Sequence, residues 1–282
     1  MFNPRDSHAP DDPVRVPCSK CIGCRLERSR QWAVRCVHEA SLYENNSFIT
    51  LTYRDDCIPE NGSLDPDAFQ KFLKRLRYYA GPFRFFGCGE YGEKTKRPHY
   101  HACLFNFDFP DRVLWKQHRD VSYFRSALLE KCWPYGFSTI GDVTFESAAY
   151  VARYILKKRY GNDADAHYDV VNDFGEIVGS RYPEFVRMSR RPGIGKDWFL
   201  KFKDDVYPHD HVVLRGKVMR PPKYYDRLFE LIDPYEFEYI KDKRVIDGRK
   251  FSADATDERL MAREEIKQLQ VKQLIRGYEN EN

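Results

Sequence analysis

The sequence predicts an α+β fold: a central antiparallel sheet flanked by helices, with a cysteine-rich segment before it and a charged helical appendage after it. Three observations predict it. Segments of strand period alternate with segments of helical period. Two strand-like segments follow one another across a short charged loop, the pattern of a hairpin. And 282 residues with 42% hydrophobic and 15% aromatic content are enough to bury a substantial core.

In chain order, residues 1–45 hold a Pro/Asp-rich lead, the run PCSKCIGCR, and a helical pattern from about Arg25 to Tyr43 with Leu26, Trp32, Val34, Val37 and Leu42 among charges. NSFITLTY, residues 46–53, is β-branched and aromatic and reads as a buried strand ended by RDDCIPENG. Asp65-Pro66 opens a helix as cap and first-turn proline, and Gly81-Pro82 stops it. FRFFGCGEYG and HYHACLFNF then form a hairpin across EKTKRP. A helix around 119–131 and a strand around 136–144 lead into ESAAYVARYILKKRYG, helical from about Glu146 to Tyr160. Thr144 is its candidate cap, Lys157, Lys158 and Arg159 lie in its last turn, and Gly161 sits at its stop. After a polar loop, HVVL-RG-KVMR reads as a second hairpin, and Ala255 to Tyr278 as a charged helix with solvated faces. The chain therefore divides into 1–45, a main domain over 46–225, and an appendage over 226–282.

Charged residues interrupt every apolar stretch well short of the roughly 18 residues a membrane span needs, and MFNPRDSHAPDDP has no apolar signal-peptide core. No membrane partner is expected, and the expected compartment is a cytoplasm. There the eight cysteines serve as thiols or metal ligands rather than disulfides. Net charge is +4, but residues 1–225 carry 36 basic and 29 acidic side chains while the remainder carries 11 and 14, so the body is basic and the tail acidic.

PHYHACLF carries the sharpest chemical signal. Alternate side chains of a strand share a face, so His99 and His101 project together while Tyr100 points into the core. Folding the hairpin back brings the FGCGEYG strand alongside, with Glu90 expected roughly opposite His101. Two imidazoles and a carboxylate suit Mg²⁺ or Mn²⁺ polarising a phosphate, or Zn²⁺. A His-x-His pair by itself occurs often by chance; the Glu-bearing strand is what sharpens it.

AAYVARYILKK is the second signal. On a helix Tyr150, Tyr154 and Lys157 share one face. A phenol with a pKa near 10 is a poor nucleophile until something stabilises its phenolate, and a neighbouring ammonium does so. Two phenols and a lysine on one stripe fit attack on a phosphodiester, although tyrosines at this spacing also serve as ordinary core aromatics.

Cys18, Cys21 and Cys24 form CxxCxxC, a spacing that can place three thiolates on one ion as a structural Zn²⁺ knuckle, with Cys36, Cys57 or His38 as the fourth ligand. The alternative is small buried thiols in a turn. His209-Asp210-His211 repeats the His-x-His spacing but has a charged centre and no alternating strand before it, so it reads as a surface turn. GIGK at 193–196 fails the GxxxxGK[ST] spacing, and no ATPase is encoded. Basic clusters offer contacts to DNA: Arg25, Arg28, Arg30 and Arg35, and Arg181, Arg187, Arg190, Arg191, Lys196, Lys201 and Lys203 interleaved with Tyr182, Phe185, Trp198 and Phe202.

Together these residues resemble the HUH endonuclease superfamily, and within it the rolling-circle replication initiators of microvirus phages. FITLTY looks like the family's first motif, His99-Tyr100-His101 matches its His-hydrophobe-His, and Tyr150 to Lys157 matches its tyrosine motif with Tyr154 in the Tyr place. A second tyrosine four residues earlier, here Tyr150, marks the two-tyrosine initiators. PCSKCIGCR, GEYGEKTKRPHYH and RRPGIGKDW are similar to the gokushovirus group, and the likeness covers about Val16 to Tyr225.

The resemblance implies an HUH endonuclease fold and an enzyme of the host cytoplasm that nicks viral origin DNA. A divalent metal, Mg²⁺ or Mn²⁺, would be held by His99, His101 and Glu90. Tyr154 or Tyr150 would attack, leaving a 5′-phosphotyrosine and a free 3′-OH primer, and the displaced strand would be rejoined as a circle. A host helicase and a DNA polymerase are the implied partners. Rival readings are a conjugative relaxase or transposase, disfavoured because the histidines precede a paired tyrosine, and a non-catalytic zinc-dependent nucleic-acid-binding protein, which leaves His99, His101 and Tyr154 unexplained.

Overall fold

The computed structural model describes residues 17–92, 95–118, 121–153 and 163–272. Seven strands build its main sheet: β1 (Asn46–Tyr53), β2 (Arg84–Tyr91), β3 (Pro98–Phe105), β4 (Val113–His118), β5 (Val121–Arg125), β6 (Gly136–Gly141) and, after a separate hairpin of β7 (Asp169–Val171) with β8 (Ile177–Ser180), β9 (Phe185–Met188). Their order is β4-β5-β6-β1-β3-β2-β9, with every neighbouring pair antiparallel. A second hairpin, β10 (Val212–Leu214) with β11 (Lys217–Met219), also stands apart from the sheet.

Helices cover both faces, which is why the central strands are apolar almost without interruption. One face receives α1 (Ile22–Ala40) and the other α2 (Pro66–Ala80). α2 begins where Asp65 accepts the backbone N–H groups of Asp67 and Ala68, and it ends at Gly81. Its buried stripe Phe69, Phe72, Leu73 and Leu76 packs on Ile49, Leu51, Tyr100, Leu104, Ile140 and Trp133. Each such side chain removed from water contributes about 1.5–3 kcal/mol. A short α3 (Ala127–Cys132) adds Leu129 and Cys132 to this layer. On the opposite face α1 is joined by α4 (Phe145–Arg153), and their Ala33, Cys36, Ala148, Tyr150, Val151 and Ala152 pack on Phe48, Phe86, Cys103 and Phe105. Parity along the strands sorts the layers: Tyr100 faces α2, while His99 and His101 face α1 and α4.

After the short α5 (Asp163–Tyr168), a third cluster joins Val34 of α1 to α6 (Lys196–Val206), α7 (Lys223–Ile232) and α8 (Pro234–Arg249) through Phe199, Tyr207, Tyr225, Phe229, Phe237 and Ile240. α7 runs across residue 226, so the acidic carboxy-terminal segment starts on a core shared with the basic body. Beyond it α9 (Asp257–Lys272) has no buried residue, the charged solvated helix that its composition foretells.

The expected helix over 119–131 is a correction. Val113–His118 and Val121–Arg125 pair as a hairpin at the sheet edge, and the helical part shrinks to α3, capped by Ser126 accepting from Leu129 N–H. The strand period is hidden because β4 is exposed on both faces and shows no alternation to read. α1 starts three residues before the expected Arg25, placing Cys21 at its N-cap and Cys24 in its first turn. At the start of α4, Thr144 and Ser147 cap reciprocally, each hydroxyl accepting the other's backbone N–H.

Candidate active site

β3 lies between β1 and β2, and the register on each side builds the site. Thr50 pairs with His101 and Thr52 with His99 on β1, while Cys88 pairs with His101 and Glu90 with His99 on β2. Glu90 therefore stands opposite His99 rather than His101, because Tyr91 pairs with Pro98 across the connecting loop. Its carboxylate instead crosses the diagonal: Glu90 Oε1 lies 2.9 Å from His101 Nε2. Both side chains are buried, at 1% and 2% exposure, whereas His99 is half-buried.

The threonines hold the rings. Thr50 Oγ1 is 3.0 Å from His101 Nδ1 and Thr52 Oγ1 is 2.9 Å from His99 Nδ1. As bonded here, His101 Nε2–H donates to Glu90 and the Thr50 hydroxyl donates to Nδ1. A cation on Nε2 requires the opposite tautomer, and a hydroxyl serves that equally well by accepting. The two imidazoles stand 6.3 Å apart between ring centroids. Gly92 makes room for the outer one: a Cβ on it would lie 2.9 Å from His99 Nε2.

α4 closes the site from above. Tyr150, 2% exposed, sets its ring edge-on to His101 at 5.0 Å between centroids, and its hydroxyl lies 3.4 Å from Glu90 Oε1. The structure thus brings Glu90, His99, His101 and Tyr150 onto one face. Tyr154 and Lys157 lie outside the described residues.

The donor set fits a hard divalent cation. At about 2.1 Å bond lengths and right-angle geometry, two cis ligands lie about 3 Å apart, which is the separation of His101 Nε2 and Glu90 Oε1. The amino-terminal cysteines form a separate group whose sulfur atoms all lie within 4.8 Å of one another, so they too can hold a metal ion. The Cys21 N–H donates to Cys18 Sγ at 3.2 Å, and backbone hydrogen bonding of this kind, from Cys21 first, draws the Cys18 thiol down to about 7. Of the expected fourth ligands, Cys36 is buried in the sheet-facing core, and Cys57 packs against the α2 side. His38 is enclosed, bonded to the Tyr225 hydroxyl at 3.0 Å and stacked on Trp198; burial pushes its pKa down to about 3. None of the three faces the cluster.

Comparison with known proteins fixes the relationship. A family profile described as that of the replication-associated protein ORF2 matches residues 46–159, the span from β1 through the tyrosine segment. The chain is 36% identical to the replication-associated protein ORF2 of Spiroplasma virus 4 over 81% of this chain and 72% of that protein. The chain belongs to the ORF2 family of replication-associated proteins. It is also 34% identical to the replication-associated protein VP4 of Bdellovibrio phage phiMH2K, over 77% of this chain and 68% of that one. With the replication-associated protein ORF4 of Chlamydia phage 1 the identity is 29%, over 79% and 56%. These are microvirus-like sources, as the sequence resemblance implied. No solved structure matches significantly. Among the described residues of this replication-associated protein, no helix is long and apolar enough to cross a membrane.

Sequence reasoning missed Thr50 and Thr52, although the alternation of ITLTY, set against the histidine strand, puts both on the His face. It also misjudged part of the basic, aromatic stretch. Arg35 is sandwiched between the rings of Trp32 and Tyr224, 3.9 Å from each, and donates to Ile194 O; Trp198 stacks on His38. The GIGK segment is likewise structural: Gly195, at φ +80°, gives its N–H to buried Glu39, and a Cβ there would meet the Tyr225 hydroxyl at 2.6 Å. Arg190, Arg191 and Lys201 remain exposed and available to phosphates.

Proposed function

We propose that this replication-associated protein is an HUH-type nickase that initiates rolling-circle replication at the viral origin. The observation that carries the reading is the cluster on one sheet face, where Glu90 bridges toward both His101 and Tyr150. Bound at His99, His101 and Glu90, Mg²⁺ or Mn²⁺ would supply Lewis-acid polarisation of the scissile phosphate. The threonines orient the imidazoles, and Glu90 is placed to accept the proton of the Tyr150 hydroxyl as that oxygen attacks. A Tyr Oη–P bond forms, the P–O3′ bond breaks, and the departing 3′ oxygen takes a proton to become the primer. Tyr154, four residues further on, would perform the second cut, with Lys157 stabilising the phenolate, and the released 3′-OH would close the circle. A host helicase and a host DNA polymerase complete the cycle in the host cytoplasm.

Incubation with labelled single-stranded origin DNA and Mn²⁺, followed by a denaturing gel, tests the chemistry. Each single Tyr→Phe variant is expected to leave reduced cleavage, and Tyr150→Phe with Tyr154→Phe none. An adduct persisting in the double variant refutes these nucleophiles.

For the cysteine group we infer structural Zn²⁺, held by Cys18, Cys21 and Cys24 at the start of α1. Its binding free energy would add to folding and fix the helix that packs against α4. Cys21→Ser should lower both zinc content and melting temperature, and zinc-free purified protein refutes the assignment.

A further inference from the structure

One row of side chains crosses the active face at the open end of the sheet: Phe137 on β6, Thr52 on β1, His99 on β3 and Glu90 on β2, each registered on the next. The face is fixed from both directions. Thr52 reaches His99 Nδ1, so it points to the histidine side, and residues paired across antiparallel strands share a face. On β6 itself Ile140 belongs to the α2-side core, which puts Phe137 and Thr139 on the opposite side. Thr139, one row deeper, is buried, while Phe137 is 64% exposed.

Single exposed apolar side chains are ordinary, and Phe174 and Tyr235 are more exposed than this one. Phe137 differs in its place. It lies two strands from His99, about 10 Å at normal strand spacing, with only Thr52 between, so a DNA strand whose phosphate rests at His99 and Glu90 carries an adjoining base past the ring.

We propose that Phe137 is a stacking platform for an unpaired base flanking the scissile phosphate, a positioning residue that selects single-stranded over duplex DNA. The proposal rests on the nicking site proposed above. A phenyl face stacks on any base without reading it, and only an unpaired base exposes its own face. Thr52 then links two tasks, orienting the His99 imidazole on one side and flanking the platform on the other.

The test separates binding from chemistry. With EDTA present to prevent cleavage, fluorescence anisotropy of a labelled mixed-sequence single strand of about 20 nucleotides, longer than one such site covers, is compared with that of the same sequence as a duplex. Phe137→Ala should weaken single-strand binding about 5- to 150-fold, since one base–aromatic stack contributes about 1–3 kcal/mol, and leave duplex binding unchanged. Phe137→Trp should preserve the affinity, whereas Phe137→Leu, which keeps apolar bulk without a π face, should behave as alanine does. Alanine binding within twofold of wild type, leucine restoring affinity, or equal losses for single strand and duplex would each overturn the proposal. His99→Ala is the companion arm: continued nicking by it sinks the active-site reading but leaves the anisotropy result to stand alone.

Discussion

His99-Tyr100-His101 and His209-Asp210-His211 repeat one spacing in one chain, and their rings stand at similar separations, 6.3 and 5.7 Å between centroids, with tilts of 36° and 42°. What backs the rings is different. The first pair sits on a central strand, its Nδ1 atoms held by Thr50 and Thr52, with a buried carboxylate and a buried phenol converging on it. In the second, His209 is exposed, and the Nδ1 of His211 faces its neighbour's backbone, the His209 carbonyl, at 3.0 Å. Ring spacing does not make a site; the donors and acceptors behind the rings do.

The residue between the histidines tells the same story from the other side. Tyr100 is buried beneath the first pair, its hydroxyl bonded to that of Tyr53 and to the backbone of Asp65. It ties the strand to the start of α2, and burial pushes its pKa upward, so it stays a neutral bolt. Asp210 instead faces Arg244 of α8, whose guanidinium also grips Asp226. Burial works against that guanidinium's charge, and the hydrogen bonds of Asp210 and Asp226 outweigh it, so the arginine's pKa is raised. The second triplet is a tertiary clamp that happens to be flanked by histidines.

Removing an imidazole from the first pair should have the largest effect. His101→Ala deletes a proposed metal ligand and leaves buried Glu90 without the Nε2–H bond, so divalent-dependent nicking is expected to fall by at least about 1,000-fold, with DNA binding retained. Near-normal cleavage by this variant would erase the distinction between the two triplets. In the second triplet the large effect belongs to the clamp. Arg244→Met leaves two carboxylates facing each other, one of them on buried Asp226, and should cost about 2–4 kcal/mol of stability. That is a drop in melting temperature of about 5–15 °C for a chain this size, while nicking per folded molecule stays unchanged.

The threonines sharpen the contrast with a smaller loss. Thr50→Val or Thr52→Val keeps strand propensity and volume but removes the bond that orients an imidazole, and loss of such an outer partner typically costs about 10- to 100-fold in metal affinity or activity. Raising Mn²⁺ should recover much of the deficit. A deficit that no metal concentration relieves would mean that the threonines act on something other than the ligand rings.

Much of this architecture is legible in the sequence because it depends on local period. β1, the Asp65 cap, the β2–β3 hairpin and the shared face of His99 and His101 follow from alternation and turn chemistry alone. The diagonal reach of Glu90 does not, because a carboxylate's partner depends on the register, which the loop between the strands sets. Nor does the burial of Arg35 and Trp198: in sequence they look like a cation and a ring on offer to DNA, and only the packing of α1 against α6 and α7 turns them inward. The β4–β5 hairpin escapes for the opposite reason, since an edge strand exposed on both faces carries no hydrophobic alternation.

The smallest expected effect is the one that most directly tests the comparison. His209→Ala and His211→Ala, singly or together, delete rings at nearly the same separation as the first pair. Geometry alone sets the expectation: His209 is exposed, and the bond that His211 makes goes to a carbonyl two residues back. Such surface substitutions change stability by no more than about 0.5 kcal/mol, and Mn²⁺-dependent nicking should stay within twofold of wild type. The double variant also guards the metal assignment. If isothermal titration shows wild type and this variant binding Mn²⁺ with equal stoichiometry while His101→Ala loses a site, the cation belongs to the sheet face. If the double variant loses the site instead, the Arg244 clamp is more than scaffolding, and the metal lies with the second triplet, far down the chain from His99 and His101.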